Sequence, residues 1–245
     1  MQREVTGNKS HIILALRADI LRLEGFRTAH GNSEPHVSDP IQQAFPGAVF
    51  PSGVTHEFVL SSIENFSTTG AFITTIISSW LNTQGAIVWI GAEQKLLPSA
   101  LEPFGVPPDR FLFVRVANEK DLLWVTEEAL KCPAVGAVVS EVKDMSFTAS
   151  RRLQLAVEES RTTGFIIRPD RLKLPPTACV SRWRVSQLPS ESIDNLPGIG
   201  FPIWKVELLR VRNGQPGVWN VQWADQQFNY PQAPDTKDYQ PAKAG

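Results

Sequence analysis

Between residues 54 and 93 the chain alternates short apolar runs with polar and helical ones, and this constrains the fold more than any other feature. Val54 to Val59 (VTHEFV) predicts a strand and Leu60 to Thr69 (LSSIENFSTT) a polar loop. Gly70 to Leu81 (GAFITTIISSWL) predicts a helix, and Ala86 to Glu93 (AIVWIGAE) a second, wholly apolar strand. Strand, loop, helix and strand at this scale is the opening of a domain that holds a nucleotide triphosphate. There the loop reads G-x-x-x-x-G-K-[ST], so that backbone N–H groups and one lysine cradle the phosphates. Here no lysine occurs between Lys9 and Lys95, and the loop has no glycine before Gly70. The sequence therefore predicts a P-loop-type frame whose phosphate cradle is degenerate.

The alternation continues. Pro98 to Phe104 predicts a short helix, Arg110 to Val116 a strand, and Glu119 to Leu130 a helix. Val135 to Val142, Thr148 to Ser160 and Gly164 to Arg168 follow as strand, helix and strand. Apolar strands separated by amphipathic helices form βαβ units around a mostly parallel sheet with helices on both faces. Beyond residue 178 the pattern changes. Cys179 to Gln187, Ile203 to Arg212 and Val218 to Trp223 alternate in polarity with no helix between them. Asn213-Gly214 and Pro216-Gly217 supply a hairpin turn, which predicts an antiparallel C-terminal extension.

Ahead of this domain, Ser10 to Phe26 predicts a helix with one apolar stripe at Ile13, Leu16, Ile20 and Leu23. The expected organisation is an N-terminal helix and linker over 1–40, an α/β domain over 41–224 and a flexible, Pro- and Ala-rich tail over 225–245. The start shows no signal peptide and no run approaches the length of a membrane span, so the expected location is cytoplasmic. The two cysteines, Cys132 and Cys179, and the four histidines show no metal-ligand spacing. His56 and Glu57 are strand neighbours that point to opposite faces, so they are no catalytic dyad.

The formal net charge of −1 conceals an asymmetry, since residues 143–223 carry 12 Lys and Arg against 7 Asp and Glu. Within that stretch Arg182 and Arg184 share one strand face, and Trp183 and Val185 share the other. Arg151 and Arg152 open a helix, the wrong end for cations. They call for a carboxylate partner, a phosphate or a protein interface. With Arg210 and Arg212 these arginines are the candidate DNA- or partner-binding set. Trp183, Trp204, Trp219 and Trp223 are expected to anchor the extension rather than to stack on bases.

Several segments together resemble the RecA-like ATPase core, and within it the ImuA family of accessory proteins from bacterial mutagenic translesion cassettes. These are Val54–Phe58, Ala86–Ile90, Asp121–Trp124 through Glu127–Cys132, and Arg151-Arg152-Leu153-Gln154-Leu155-Ala156. Ser181–Val185, and Trp204 through Glu207-Leu208-Leu209-Arg210 to Trp219, complete the set, which covers roughly residues 10 to 223. The resemblance implies a RecA-like P-loop core without ATPase activity and without a cofactor. In it Gly70 takes the place of the phosphate-binding lysine, Ser140 with Glu141 beside it takes that of the metal-orienting aspartate, and Glu93 that of the water-activating glutamate. A lone base does not restore phosphoryl transfer, which rests on lysine, metal and oriented amides. The resemblance also implies a role in the SOS response to DNA damage. The partners would be an ImuB-like Y-family protein and an error-prone polymerase III alpha-type subunit, with DNA and RecA as further contacts and no membrane. The rival expectations are a SulA-like inhibitor of cell division acting on FtsZ, and an active RecA-like ATPase.

Overall fold

The computed structural model describes residues 39–81, 85–171, 174–190 and 200–231. The predicted N-terminal helix at 10–26 lies outside the described residues. The strands are β1 (Thr55–Leu60), β2 (Ala86–Gly91), β3 (Phe111–Arg115), β4 (Val135–Glu141), β5 (Thr163–Pro169), β6 (Ser181–Leu188), β7 (Ile203–Val211), β8 (Gly217–Ala224) and β9 (Gln227–Asn229). The helices are α1 (Asn65–Thr75, continued by a π-helical turn over Ile76–Leu81), α2 (Pro98–Leu101), α3 (Glu119–Leu130) and α4 (Phe147–Ser160). The nine strands form one sheet in the order β3-β2-β4-β5-β1-β6-β7-β8-β9. Strands β3 through β6 are mutually parallel, and β6 to β9 pair antiparallel. This is a mixed α/β domain with a mostly parallel sheet and the expected antiparallel extension.

The parallel strands are apolar on both faces because helices cover both. Trp89, Val139, Phe165 and Phe58 pack toward α1, while Val88, Val138 and Ile166 pack toward α3 and α4. In the extension a helix covers only one face. Trp183, Val185, Val206, Leu208 and Val221 join the α1 cluster, and Arg182, Arg184, Lys205 and Glu207 occupy the other face. An antiparallel sheet tolerates such one-sided burial. The tryptophans do anchor the extension: Trp183 and Trp204 are buried, and Trp223 donates its Nε1–H to the Pro103 carbonyl at 2.9 Å.

Two boundaries differ from the sequence reading. α1 begins at Asn65 rather than Gly70, which leaves only Ser61–Glu64 between strand and helix. Threonines and serines disfavour helix by bonding local backbone, and this made 60–69 read as loop. Here Phe66, Thr68 and Thr69 are buried, and Thr74 donates back to the Gly70 carbonyl at 2.8 Å, so tertiary burial overrides propensity. The second difference lies in the expected tail. Residues 227–229 form β9, and Phe228 packs on Trp80, Phe72 and Trp223. Just beyond it, the Tyr230 hydroxyl donates to Asp39 Oδ1, which also accepts from the Ile41 amide at 2.9 Å. The chain entering the domain at 39 and the chain leaving it at 230 therefore meet at one point. Burial raises the pKa of Asp39 and, with the adjacent Asp39, that of Tyr230.

Candidate functional site

The positions singled out for a nucleotide site divide between two environments. Gly70 is the sixth residue of α1, inside the helix and not at its mouth. A Cβ there would fall 2.7 Å from Leu96 Cδ1 and 3.2 Å from Trp89 Cη2, so the glycine serves close packing of helix on sheet. Glu141 ends β4 on the same face and accepts from Trp89 Nε1–H at 2.8 Å and from Lys95 Nζ at 2.9 Å. Lys95 Nζ in turn stands 4.8 Å from the centre of the Phe66 ring. Gly70, Trp89, Glu141, Lys95 and Phe66 thus form one packed cap at the start of α1. Glu93 is exposed two residues beyond β2. It lines a shallow cleft of about 470 Å³ with Trp89, Phe113 and Arg115. Ser140 is not part of this arrangement. It points to the opposite face, fully buried, with its hydroxyl 2.6 Å from Thr126 Oγ1 of α3. The structure therefore brings Gly70 and Glu141 together through Trp89 and sends Ser140 elsewhere.

Arg182 of the extension and Arg168 of β5 meet on an unexpected residue. Glu57, in the middle of β1, is wholly buried. Its Oε2 accepts from Arg182 Nε at 2.6 Å and from Thr177 Oγ1 at 3.0 Å. Its Oε1 lies 2.6 Å from Arg168 Nε, an ion pair whose angle falls short of a hydrogen bond. Arg168 is itself 2% exposed. Two guanidiniums on one carboxylate leave an excess of buried positive charge, which backbone carbonyls offset. Arg182 donates to Pro175 O, Arg210 to Thr177 O and Cys179 O, and Arg212 to Ala178 O. Arg210 has a lowered pKa, first from desolvation and then from the neighbouring Arg182. Arg184 pairs with Asp170 at 2.6 Å. These four arginines, read in sequence as a phosphate-facing set, therefore clamp the irregular connection between β5 and β6. What the sequence reading missed is Glu57, since one glutamate in an apolar strand gives no indication of its partner 111 or 125 positions away.

A β-bulge makes the clamp possible. Register shifts between Arg182 and Trp183, so that Arg182 faces Arg210 while Trp183 faces Leu208. Strict alternation would have put Arg210 on the buried face with Leu208. The extra residue, Leu209, restores it to the side of Arg182.

Arg151 and Arg152 sit in the second turn of α4, since the helix begins at Phe147 with Ser146 as its cap. The macrodipole has largely faded there, so the electrostatic objection to cations is small. Of the three alternatives, Arg152 has the carboxylate: it pairs with Glu127 of α3 at 2.5 Å. Arg151 is exposed and has no partner among the described residues.

His56 belongs to the core, not to a site. Its Nδ1 lies 2.6 Å from Ser181 Oγ and its Nε2 2.9 Å from the Pro51 carbonyl, between the rings of Phe50 and Phe165. Desolvation pulls its pKa down to about 4. In the unfolded chain it titrates near 6.5, so the unfolded state takes up the proton first as pH falls. Its contribution is complete above pH 6.5 and lost progressively toward pH 4, by about 3 kcal/mol at 1.36 kcal/mol per unit. Urea unfolding at pH 7.0 and 4.5 is expected to show this slope in the native protein and a shallower one in His56→Gln. Equal slopes would remove His56 as its source.

Among the described residues no group of three or more His, Cys, Asp or Glu is placed to hold a metal ion. No helix among them is long and apolar enough to cross a membrane. The fold and its cap and clamp define a mixed α/β domain whose conspicuous charges are mostly spent on internal pairing. No family model matches the chain. It is 35% identical over 195 aligned positions to Protein ImuA of Caulobacter vibrioides, in two strains, spanning 74% of this chain and 80% of the relative. The chain belongs to the ImuA family. Among solved structures it is similar to SulA from Pseudomonas aeruginosa, with a TM-score of 0.42 and 22% identity over 49% of this chain and 100% of the other.

Proposed function

We propose that this protein is a non-catalytic accessory factor of error-prone translesion synthesis in the bacterial DNA-damage response, built on a RecA-like core that no longer works on ATP. Membership of the ImuA family supports the damage-response role. The observation that carries the non-catalytic part is the cap at the start of α1. A phosphate cradle needs a flexible run of backbone amides ahead of a helix. Here four residues join β1 to α1, Glu64 puts a carboxylate at the helix mouth, and Gly70 is locked beneath Trp89 and Leu96. Lys95, the nearest lysine in sequence, is held by Glu141. On this reading the domain serves as a scaffold between an ImuB-like Y-family protein and a polymerase III alpha-type subunit.

Two measurements test this. In a strain lacking the gene, the native protein and Glu93→Gln are expected to restore damage-induced mutation frequency equally. Loss of function in Glu93→Gln would reinstate a catalytic base. Titration calorimetry with Mg²⁺-ATP is expected to give no binding at micromolar concentrations, and micromolar affinity would overturn the account of the cap. Capture of FtsZ in place of the polymerase partners would move the protein to the cell-division reading.

A further inference from the structure

The sheet has two edges, and the chain builds them differently. β9 is three residues long, with Gln227 and Asn229 exposed and polar and Phe228 turned inward onto Trp80. Positive φ angles at Asp225 and Gln226 lead into it, and Pro231 follows closely. A short, polar edge of this kind discourages further pairing. β3, at the other edge, has none of these features. It runs Phe-Leu-Phe-Val-Arg, pairs with β2 without a bulge, and contains neither proline nor lysine. Its one charge, Arg115, stands at the end of the strand. Leu112, in the middle, is 55% exposed. Among the described residues β2 is the only strand beside it.

The backbone states what would fit. Val116 donates to the Gly91 carbonyl at 2.9 Å, and alternate residues of a ladder turn toward the same neighbour. Leu112 and Val114 therefore turn their N–H and C=O groups to β2, while Phe111, Phe113 and Arg115 turn theirs outward. Such a row is a template for another extended strand. The side chains narrow the choice to β3 itself. Paired antiparallel about Phe113, two copies set Phe113 against Phe113 and Phe111 against Arg115, so each outward group meets another outward group. On the opposite face of the sheet Leu112 meets Val114. Apolar side chains then face apolar ones, each arginine lies against an aromatic ring, and the two arginines stand at opposite ends of the pair. The rings of Phe111 and Phe113 are 5.9 Å apart and those of Phe113 and Trp89 6.1 Å, so the pairing extends an aromatic row already present. Asp39 and Tyr230, where the described chain enters and leaves the domain, meet beside β9 at the far edge and leave this one clear.

We infer that two copies of this chain join through β3, antiparallel and centred on Phe113, into a symmetric dimer with one continuous sheet. An isologous contact of this kind closes on itself, because each edge is consumed by the other. The dimer does not depend on which polymerase partners the protein has. It gives a scaffold two copies of every other surface, with the chain ends at its two far edges.

Sedimentation equilibrium of the full-length protein, from low to high micromolar concentration, is expected to show a reversible monomer–dimer equilibrium. Leu112→Lys sets a charge against Val114 of the second copy and is expected to weaken dimerisation by about tenfold or more. Val218→Lys, at an exposed position on β8, is expected to leave it unchanged. Both side chains are exposed, so thermal unfolding of each variant monomer is expected to match that of the native monomer. The register has its own readout. Hydrogen-bonded antiparallel partners lie about 5.5 Å apart at Cα, within reach of a disulfide. Phe113→Cys in a Cys132→Ser background is therefore expected to give a covalent dimer on mild oxidation, and Ile63→Cys in the same background to give none. A native protein that stays monomeric, a dimer indifferent to Leu112→Lys, or a dimer that Phe113→Cys fails to trap would each overturn the inference. Open-ended assemblies would do the same, since they require a second surface. If the native protein stayed monomeric and Leu112→Lys abolished capture of the Y-family partner, the edge would belong to a strand of that partner instead.

Discussion

Replacing Glu57 with Gln is expected to destabilise the domain by about 3–5 kcal/mol, the range seen when one member of a buried ion pair is removed. The carboxylate is wholly buried with Arg168 and Arg182 each 2.6 Å away. Arg168 cannot turn to water, being 2% exposed, and it already has a nitrogen without a partner. The amide would leave two desolvated guanidiniums facing each other with no countercharge. For a domain of this size the midpoint of thermal unfolding is expected to fall by roughly 10 °C. Replacing a buried pair as a whole is far less costly than breaking it, so Glu57→Gln with Arg168→Met is expected to be more stable than Glu57→Gln alone. Calorimetric melting of the single and double variants checks both. A fall below about 1 kcal/mol in the single variant would mean that water reaches the cluster and that the arginines are not clamped.

Trp183→Ala is expected to cost a similar amount, about 3–5 kcal/mol, for a different reason. The indole is fully buried and stacks on Phe58 at 6.0 Å with 9° between the rings, with Phe45 and Phe72 around it. It is where β6 joins the parallel half of the domain to the antiparallel half. Truncation would open a cavity at that junction and remove the Nε1–H that donates to Ser181 Oγ at 2.6 Å. Because the loss falls on the seam, amide hydrogen exchange is expected to rise over β6–β8 before it rises over β2–β4. Uniform acceleration across the sheet would show instead that the two halves unfold as one unit. Trp183→Phe, which keeps most of the packing, is expected to lose less than half as much.

The two cases differ in how much a reader of the sequence could see. Trp183 was visible as a core residue, because alternation along SRWRV places it opposite the arginines whatever lies next to the strand. Glu57 was not, because its meaning depends on strand order. β1 lies between β5 and β6, and only that placement brings residues 168 and 182 onto one carboxylate. The same contrast holds at the candidate nucleotide site. The missing lysine and glycines were legible, and they drew attention to the turn after β1. The position of Gly70 was not legible, because the serines and threonines before it have helix-disfavouring side chains and become helical only when buried. For the extension arginines, composition suggested a basic surface. The bulge at Leu209 and the carbonyls of residues 175–179 turned most of that charge inward.

By itself the sequence determined the succession of strands and helices, the switch from parallel to antiparallel pairing after residue 178, the hairpin at Asn213-Gly214 and the inward faces of Trp183 and Val185. All of these follow from periodicity and turn chemistry, which act over a few neighbouring residues. Only the tertiary structure decided where α1 begins, which carboxylate the arginines hold, that residues 227–229 close the far edge of the sheet, and that Trp124 and Arg151 stay uncovered. Each of these depends on groups far apart in the chain that meet through strand order and burial, and no local pattern encodes which of them will meet.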